Sequence, residues 1–202
     1  MIGIVDYGVG NLRSLCCSLS YLGLEHLVSG EREKLKECKR LILPGVGAFG
    51  DARAILRESG LDEFLIAEAQ EGKPLLGICL GMQLLLQGSE EFGSREGLKL
   101  ISGRACPLKE DVPAGFKVPH MGWNSLKFCK NSPLFKYSSE GEWVYFVHSF
   151  YGKGCGGDTL AVSDYGMPVT AAVGRKNVFG TQFHPEKSGS AGLKILRAFS
   201  EV

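Results

Sequence analysis

Three short apolar runs, Ile2–Val5, Leu41–Leu43 and Leu75–Ile78, each lead into a longer amphipathic stretch, and this alternation limits the possible folds more than any other feature. Runs this short without apolar/polar alternation suit strands buried on both faces. The stretches Leu12–Leu22, Ala52–Glu71 and Leu80–Leu86 carry apolar residues at helical spacing, the second reading as one helix or as two broken near Gly60. The resulting β-α-β-α-β-α order predicts an α/β fold, a mostly parallel central sheet flanked by helices. From Leu98 to Gln182 the runs shorten and become richer in aromatic and β-branched residues, as in Trp143–Val147, Thr159–Val162, Thr170–Val173 and Val178–Phe183. Additional antiparallel strands in the second half are expected. Leu193–Phe199 reads as a closing helix. Gly152–Asp158 reads as a surface loop rather than a linker, because strands continue on either side, so 1–202 is expected to form a single domain.

Composition excludes several classes. With 23 Lys and Arg against 22 Asp and Glu and no long run of one sign, no basic face for nucleic acid is expected. No stretch approaches the roughly 18 apolar residues of a membrane span, and the chain opens on an apolar strand without a basic leader, so an unexported, cytoplasmic protein is expected. The seven cysteines are odd in number and scattered, with Cys16 and Cys17 adjacent, which predicts reduced thiols. Without a CxxC pair or an HExxH, no metal and no other cofactor is expected.

Gly77-Ile78-Cys79-Leu80-Gly81 falls where a buried strand turns into a helix, the setting of a nucleophile elbow. A nucleophile there needs a tight turn, and glycines two residues away on each side remove Cβ atoms that would strike the neighbouring strand and helix. The helix start also supplies N–H groups that favour a thiolate, so one turn provides both an attacking sulfur and a backbone donor. A free cysteine is ordinarily a small buried hydrophobe, and the other six keep that reading. His184-Pro185-Glu186 follows the run Val178–Phe183. Residues two apart in an extended segment point to one side, which lets Glu186 orient the His184 imidazole. His26, His120 and His148 default to structural roles.

Gly45, Gly47 and Gly50 satisfy G-x-G-x-x-G, but a dinucleotide site wants that turn after the opening strand and an acidic residue ending the next one. The next strand ends in Cys79 instead. Pro44-Gly45-Val46-Gly47 reads better as a turn whose backbone N–H groups approach an oxyanion beside the sulfur.

These segments, with Asp6-Tyr7-Gly8-Val9-Gly10-Asn11, Pro119-His120-Met121-Gly122-Trp123-Asn124 and Gln182-Phe183-His184-Pro185-Glu186-Lys187-Ser188, resemble the triad (class I) glutamine amidotransferases. Within them the set is similar to the glutaminase subunits of imidazole glycerol phosphate synthase, in histidine biosynthesis. The resemblance runs in the family's order along nearly the whole chain, and its length suits a free-standing glutaminase. It implies a catalytic triad of Cys79, His184 and Glu186. It also implies a glutamine pocket at Gly47, Gln83, Ser149 and Phe150, and an oxyanion hole from Leu80 with Val46 or Gly47 in a Gly45-Val46-Gly47 strand. Asn11 and Trp123, the latter in a Gly-Trp-Asn loop, match the surface facing a (βα)₈-barrel synthase with which the subunit forms a heterodimer. The rival readings are a glutaminase serving anthranilate, guanylate or pyridoxal phosphate synthesis, a free-standing cysteine amide hydrolase, and a catalytically dead partner-binding subunit.

Overall fold

A computed structural model describes all residues, Met1–Val202. The first half runs β1 (Ile2–Val5), α1 (Leu12–Tyr21), β2 (His26–Ser29), α2 (Arg32–Lys36), β3 (Arg40–Leu43), α3 (Phe49–Glu58), α4 (Leu61–Gln70), β4 (Leu75–Ile78) and α5 (Leu80–Leu85). Then follow β5 (Gly88–Ser89), β6 (Arg95–Glu96), β7 (Arg104–Pro107), β8 (His120–Ser125), β9 (Lys127–Phe128), β10 (Trp143–His148) and β11 (Phe150–Lys153). The chain closes with β12 (Thr159–Asp164), β13 (Pro168–Arg175), β14 (Val178–Thr181) and α6 (Gly189–Phe199).

The main sheet has eight strands in the order β2-β1-β3-β4-β14-β13-β12-β9. It is parallel from β2 to β14 and antiparallel from there to β9. Side chains alternate between two cores, as a covered parallel sheet requires. Leu41, Leu43 and Leu75 pack with Phe49, Leu56, Leu61 and Leu65 on the α3 and α4 side. Ile42, Leu76 and Ile78 pack with Leu15, Leu19, Ile195 and Phe199 on the α1 and α6 side. No helix is long and apolar enough to cross a membrane.

Ala52–Glu71 is two helices broken at Gly60 (φ +64°), the second of the two readings its sequence offered. Several other expectations are corrected. The first of these helices begins at Phe49, where the Glu91 carboxylate, from a distant hairpin, accepts the Phe49 N–H at 2.6 Å. β2 and α2 carry weak local patterns; β2 exists through its parallel pairing with β1. β14 stops at Thr181, where its ladder with β4 ends, and α6 starts at Gly189, whose turn is packed against the preceding residues. Trp143–Val147 does not join the main sheet, since β10 pairs only with β8 in a two-stranded ribbon. The Gly152–Asp158 loop begins inside β11, and Cys155 and Asp158 are buried. Asp158 is drawn inward by Arg175 and by the Ser102 N–H. The Gly45-Val46-Gly47 segment is an irregular loop, with Gly47 at φ +95°, rather than a strand.

A Cβ on Gly81 would overlap the Leu43 carbonyl oxygen of β3, whereas one on Gly157 meets nothing within 4 Å. Gly81→Ala is therefore expected to lower stability by at least about 1–3 kcal/mol, and Gly157→Ala to be near neutral, in urea denaturation. Equal stability of the two variants would contradict the tight β3–α5 approach.

Candidate active site

β3, β4 and β14 are neighbours, and the segments carrying Pro44–Gly47, Cys79 and His184 leave their carboxyl ends side by side, where open α/β sheets place their sites. Cys79 occupies the strand-to-helix turn at φ 54°, ψ −109°, a conformation that non-glycine residues rarely adopt and that is held here by its N–H donating to the Thr181 carbonyl at 2.7 Å. The flanking glycines are both sterically required. A Cβ on Gly77 would come within 2.6 Å of the Gly81 backbone, and Gly81 faces β3 as described above.

His184 is buried, and its Nδ1 lies 2.8 Å from Glu186 Oε1. The turn that carries both is clipped to β10: Ser188 Oγ donates to the His184 carbonyl at 2.6 Å and accepts the Tyr145 N–H at 2.9 Å. Glu186 Oε2 is buried with no hydrogen-bond donor, so no other side chain competes for its negative charge. Burial, the largest influence on His184, favours the neutral ring. Hydrogen bonds to Cys79 and Glu186 and the charges of both outweigh it, raising the pKa from 6.5 to about 9.

A cavity of about 600 Å³ opens over the sulfur, lined by Cys79, His184, Val46, Gly47, Leu80, Gln83, Ser149 and Phe150. Every sequence-derived pocket residue is thus on one wall or another. Gln83 Nε2 donates to the Phe150 carbonyl (3.0 Å) and to Gln182 Oε1 (3.1 Å), so its amide is held by the protein. The Leu80 N–H donates to the Gly45 carbonyl at 3.3 Å, which occupies the donor expected at an oxyanion hole. Asn11 is half-buried and lines a narrow void with Gly45, His184 and Glu186. Trp123 stays outside the cavity. It lies on strand β8 rather than in a loop, because its backbone pairs with Tyr145 of β10.

Sequence reasoning missed four contributors. Gln182, fully buried, points Nε2 at Cys79 Sγ from 3.7 Å. Tyr7 donates its hydroxyl to the Pro44 carbonyl at 2.8 Å, bracing the loop beside Leu80. Glu91 and Phe92 bring the β5–β6 hairpin to the cavity mouth. Gln182 and Tyr7 sit inside the recognised motifs, but only the fold shows what their side chains reach. No three His, Cys, Asp or Glu side chains form a metal-ligand set, and all seven cysteines are free.

The family model for class-I glutamine amidotransferases matches residues 4–201. Imidazole glycerol phosphate synthase subunit HisH of Geobacillus thermodenitrificans is 54% identical over 98% of this chain and 94% of its own. That of Bacillus subtilis is 49% identical over 100% and 96%. Among solved structures, a glutamine amidotransferase superposes with TM-score 0.77 at 21% identity, covering 99% of this chain and 97% of that one. The PurLQS structure from Thermotoga maritima gives TM-score 0.77 at 24% identity, with 99% and 97% covered. At these identities the structural likenesses establish the fold.

Because the folded pKa of His184 lies above the ordinary value, the charged ring stabilises the fold fully below pH 6.5, and this contribution is lost as pH rises through about 9. An NMR titration is expected to place the His184 midpoint near 9, and Glu186→Gln to lower it. A wild-type midpoint at or below 6.5 would contradict the Cys79–His184–Glu186 pairing.

Proposed function

The chain belongs to the class-I glutamine amidotransferase family, and we propose that it is the glutaminase subunit of an imidazole glycerol phosphate synthase, with Cys79, His184 and Glu186 as its catalytic triad. The observation that carries this reading is the convergence of a strained cysteine, a carboxylate-bound imidazole and an open cavity over the sulfur at one sheet edge. The names of its relatives favour this pathway over the other amidotransferases.

Cys79 Sγ attacks the side-chain amide carbon of glutamine, and negative charge moves to the carbonyl oxygen. His184 gives its proton to the departing nitrogen, the C–N bond breaks, and ammonia leaves a thioester on the sulfur. His184 then takes a proton from water, which attacks the thioester and releases glutamate and the thiol. Glu186 keeps the imidazole in place and supports its charge in both steps. Gly47, Gln83 and the Ser149–Phe150 backbone bind the substrate.

The oxyanion needs the Leu80 N–H, which is engaged by Gly45 here. Rotation of the Gly45–Val46 peptide would free it and turn the Val46 N–H inward, and rotation of the Val46–Gly47 peptide would offer the Gly47 N–H; Gly45 and Gly47, the latter already at positive φ, permit such changes cheaply. Removing an oxyanion donor costs about a hundred- to a thousandfold in turnover, enough for an on/off switch. Such a switch suits the chemistry, because ammonia released without an acceptor is protonated and no longer nucleophilic.

The partner is a synthase subunit, proposed to be a (βα)₈ barrel forming a heterodimer with this chain in the cytoplasm. Its docking face is the outer side of the β8–β10 ribbon, where Met121 (66%), Trp123 (53%) and Trp143 (59%) are exposed together. Three large apolar side chains on one face of a ribbon are the composition of an interface core. Asn11 contributes from the side of α1.

Cys79→Ala is expected to abolish glutamine-dependent synthesis by the complex while synthesis from added ammonium persists; equal loss with both nitrogen sources would refute the role. The chain alone should release glutamate about a hundred- to a thousandfold more slowly than in the ligand-occupied complex, measured by glutamate assay. Full activity of the isolated chain would refute partner control. Trp123→Ala should raise the Kd for the synthase by about tenfold or more, measured by calorimetry, and an unchanged Kd removes this residue from the interface.

A further inference from the structure

His120 and His148 are direct partners in the β8–β10 register, and both are buried. Their contacts leave one arrangement of protons. His148 Nδ1 lies 2.9 Å from the Phe150 carbonyl oxygen, which can only accept, so Nδ1 carries the hydrogen. In the neutral ring Nε2 is then bare and accepts from His120 Nδ1, 3.0 Å away. That leaves His120 Nε2 bare, facing the Asn124 amide nitrogen at 3.4 Å. The Asn124 amide is itself oriented by obligate backbone partners: its Nδ2 donates to the Asp164 carbonyl at 2.7 Å, and its Oδ1 accepts the Ser125 N–H at 2.8 Å. A second proton on either ring would set two N–H groups against each other. Burial, the main cause, pulls His120 down to about 4 and His148 to about 3, the latter opposed by the Phe150 bond and helped by the charge of His120 and then of His184. The His120 ring is further clamped by stacking on Phe146 (centroids 4.6 Å apart) and Tyr165 (4.0 Å).

The relay ends on the Phe150 carbonyl, which also takes the Gln83 amide. Gln83 continues to Gln182, and Gln182 to the sulfur of Cys79. An unbroken chain of hydrogen bonds therefore runs from the strand that carries Trp123 to the nucleophile, through the wall of the glutamine cavity. We propose that His120 and His148 are positioning residues: a permanently neutral, proton-ordered pair that sets the Ser149–Phe150 wall of the glutamine pocket and ties its geometry to the β8 strand. This deepens the glutaminase reading and rests on it.

Two measurements test it. Side-chain ¹H–¹⁵N NMR of the wild-type chain at neutral pH should show both rings as the Nδ1–H tautomer; an Nε2–H tautomer or a doubly protonated ring at either position would overturn the proposal. His120→Phe keeps an aromatic ring between Phe146 and Tyr165 but removes the donor to His148. In complex with the synthase subunit it should raise the KM for glutamine about tenfold, the scale of one lost buried hydrogen bond, with kcat falling less. A lower Tm with unchanged KM means the pair serves stability alone, and the proposal falls. Should the variant not fold, the tautomer measurement decides. A wild-type complex that hydrolyses no glutamine refutes the glutaminase reading instead, which the tautomers do not touch.

Discussion

Cys79 and His184 meet because β14 pairs with β4 in parallel, from Val178 opposite Leu75 to Thr181 opposite Ile78. Parallel pairing sends both chains out of the same sheet edge, so a turn after Ile78 and a turn after Thr181 deliver their side chains to one place. β3, on the other side of β4, adds the Pro44–Gly47 loop at the same edge. The strained backbone of Cys79 depends on this pairing as well, since the bond that restrains its N–H goes to Thr181, the last residue of β14. The close approach of α5 to β3 and β4 depends in turn on Gly77 and Gly81 having no side chain.

Around this edge, histidines of one chemical type are held in opposite charge states. His184, between a carboxylate with no other donor and the sulfur, is held toward the imidazolium. His148 and His120, between a carbonyl, each other and an amide, are satisfied only as neutral rings. Burial acts on all three in the same direction, so the partners decide the outcome. A ring held toward its charged form and a pair held neutral can then stand around one cavity. The polar network that joins them has its far end in strand β8, which also carries the exposed Met121 and Trp123.

Much of the architecture was legible in the residues. The buried runs Ile2–Val5, Leu41–Leu43 and Leu75–Ile78 form the parallel strands they suggest, because continuous apolar sequence of that length has few other stable uses. Elements that were misplaced owe their bounds to distant groups. α3 begins at Phe49 through Glu91, β2 exists through β1, and Asp158 is held inward by Arg175 and Ser102. Trp123 was read as a loop residue from its Gly and Asn neighbours, yet cross-strand pairing with Tyr145 holds it in β8.

By itself the sequence determined the strand-to-helix turn at Cys79, the glycines that flank it, and the two-residue spacing of His184 and Glu186, because these are consequences of local backbone geometry and residue size. Tertiary structure alone decided which surfaces those groups share. It brought Gln182 to the sulfur, placed the Gly45 carbonyl on the Leu80 N–H, and set His120 against His148. Each of those contacts joins residues far apart in the chain, and their direction follows from strand order and register, which local sequence leaves open.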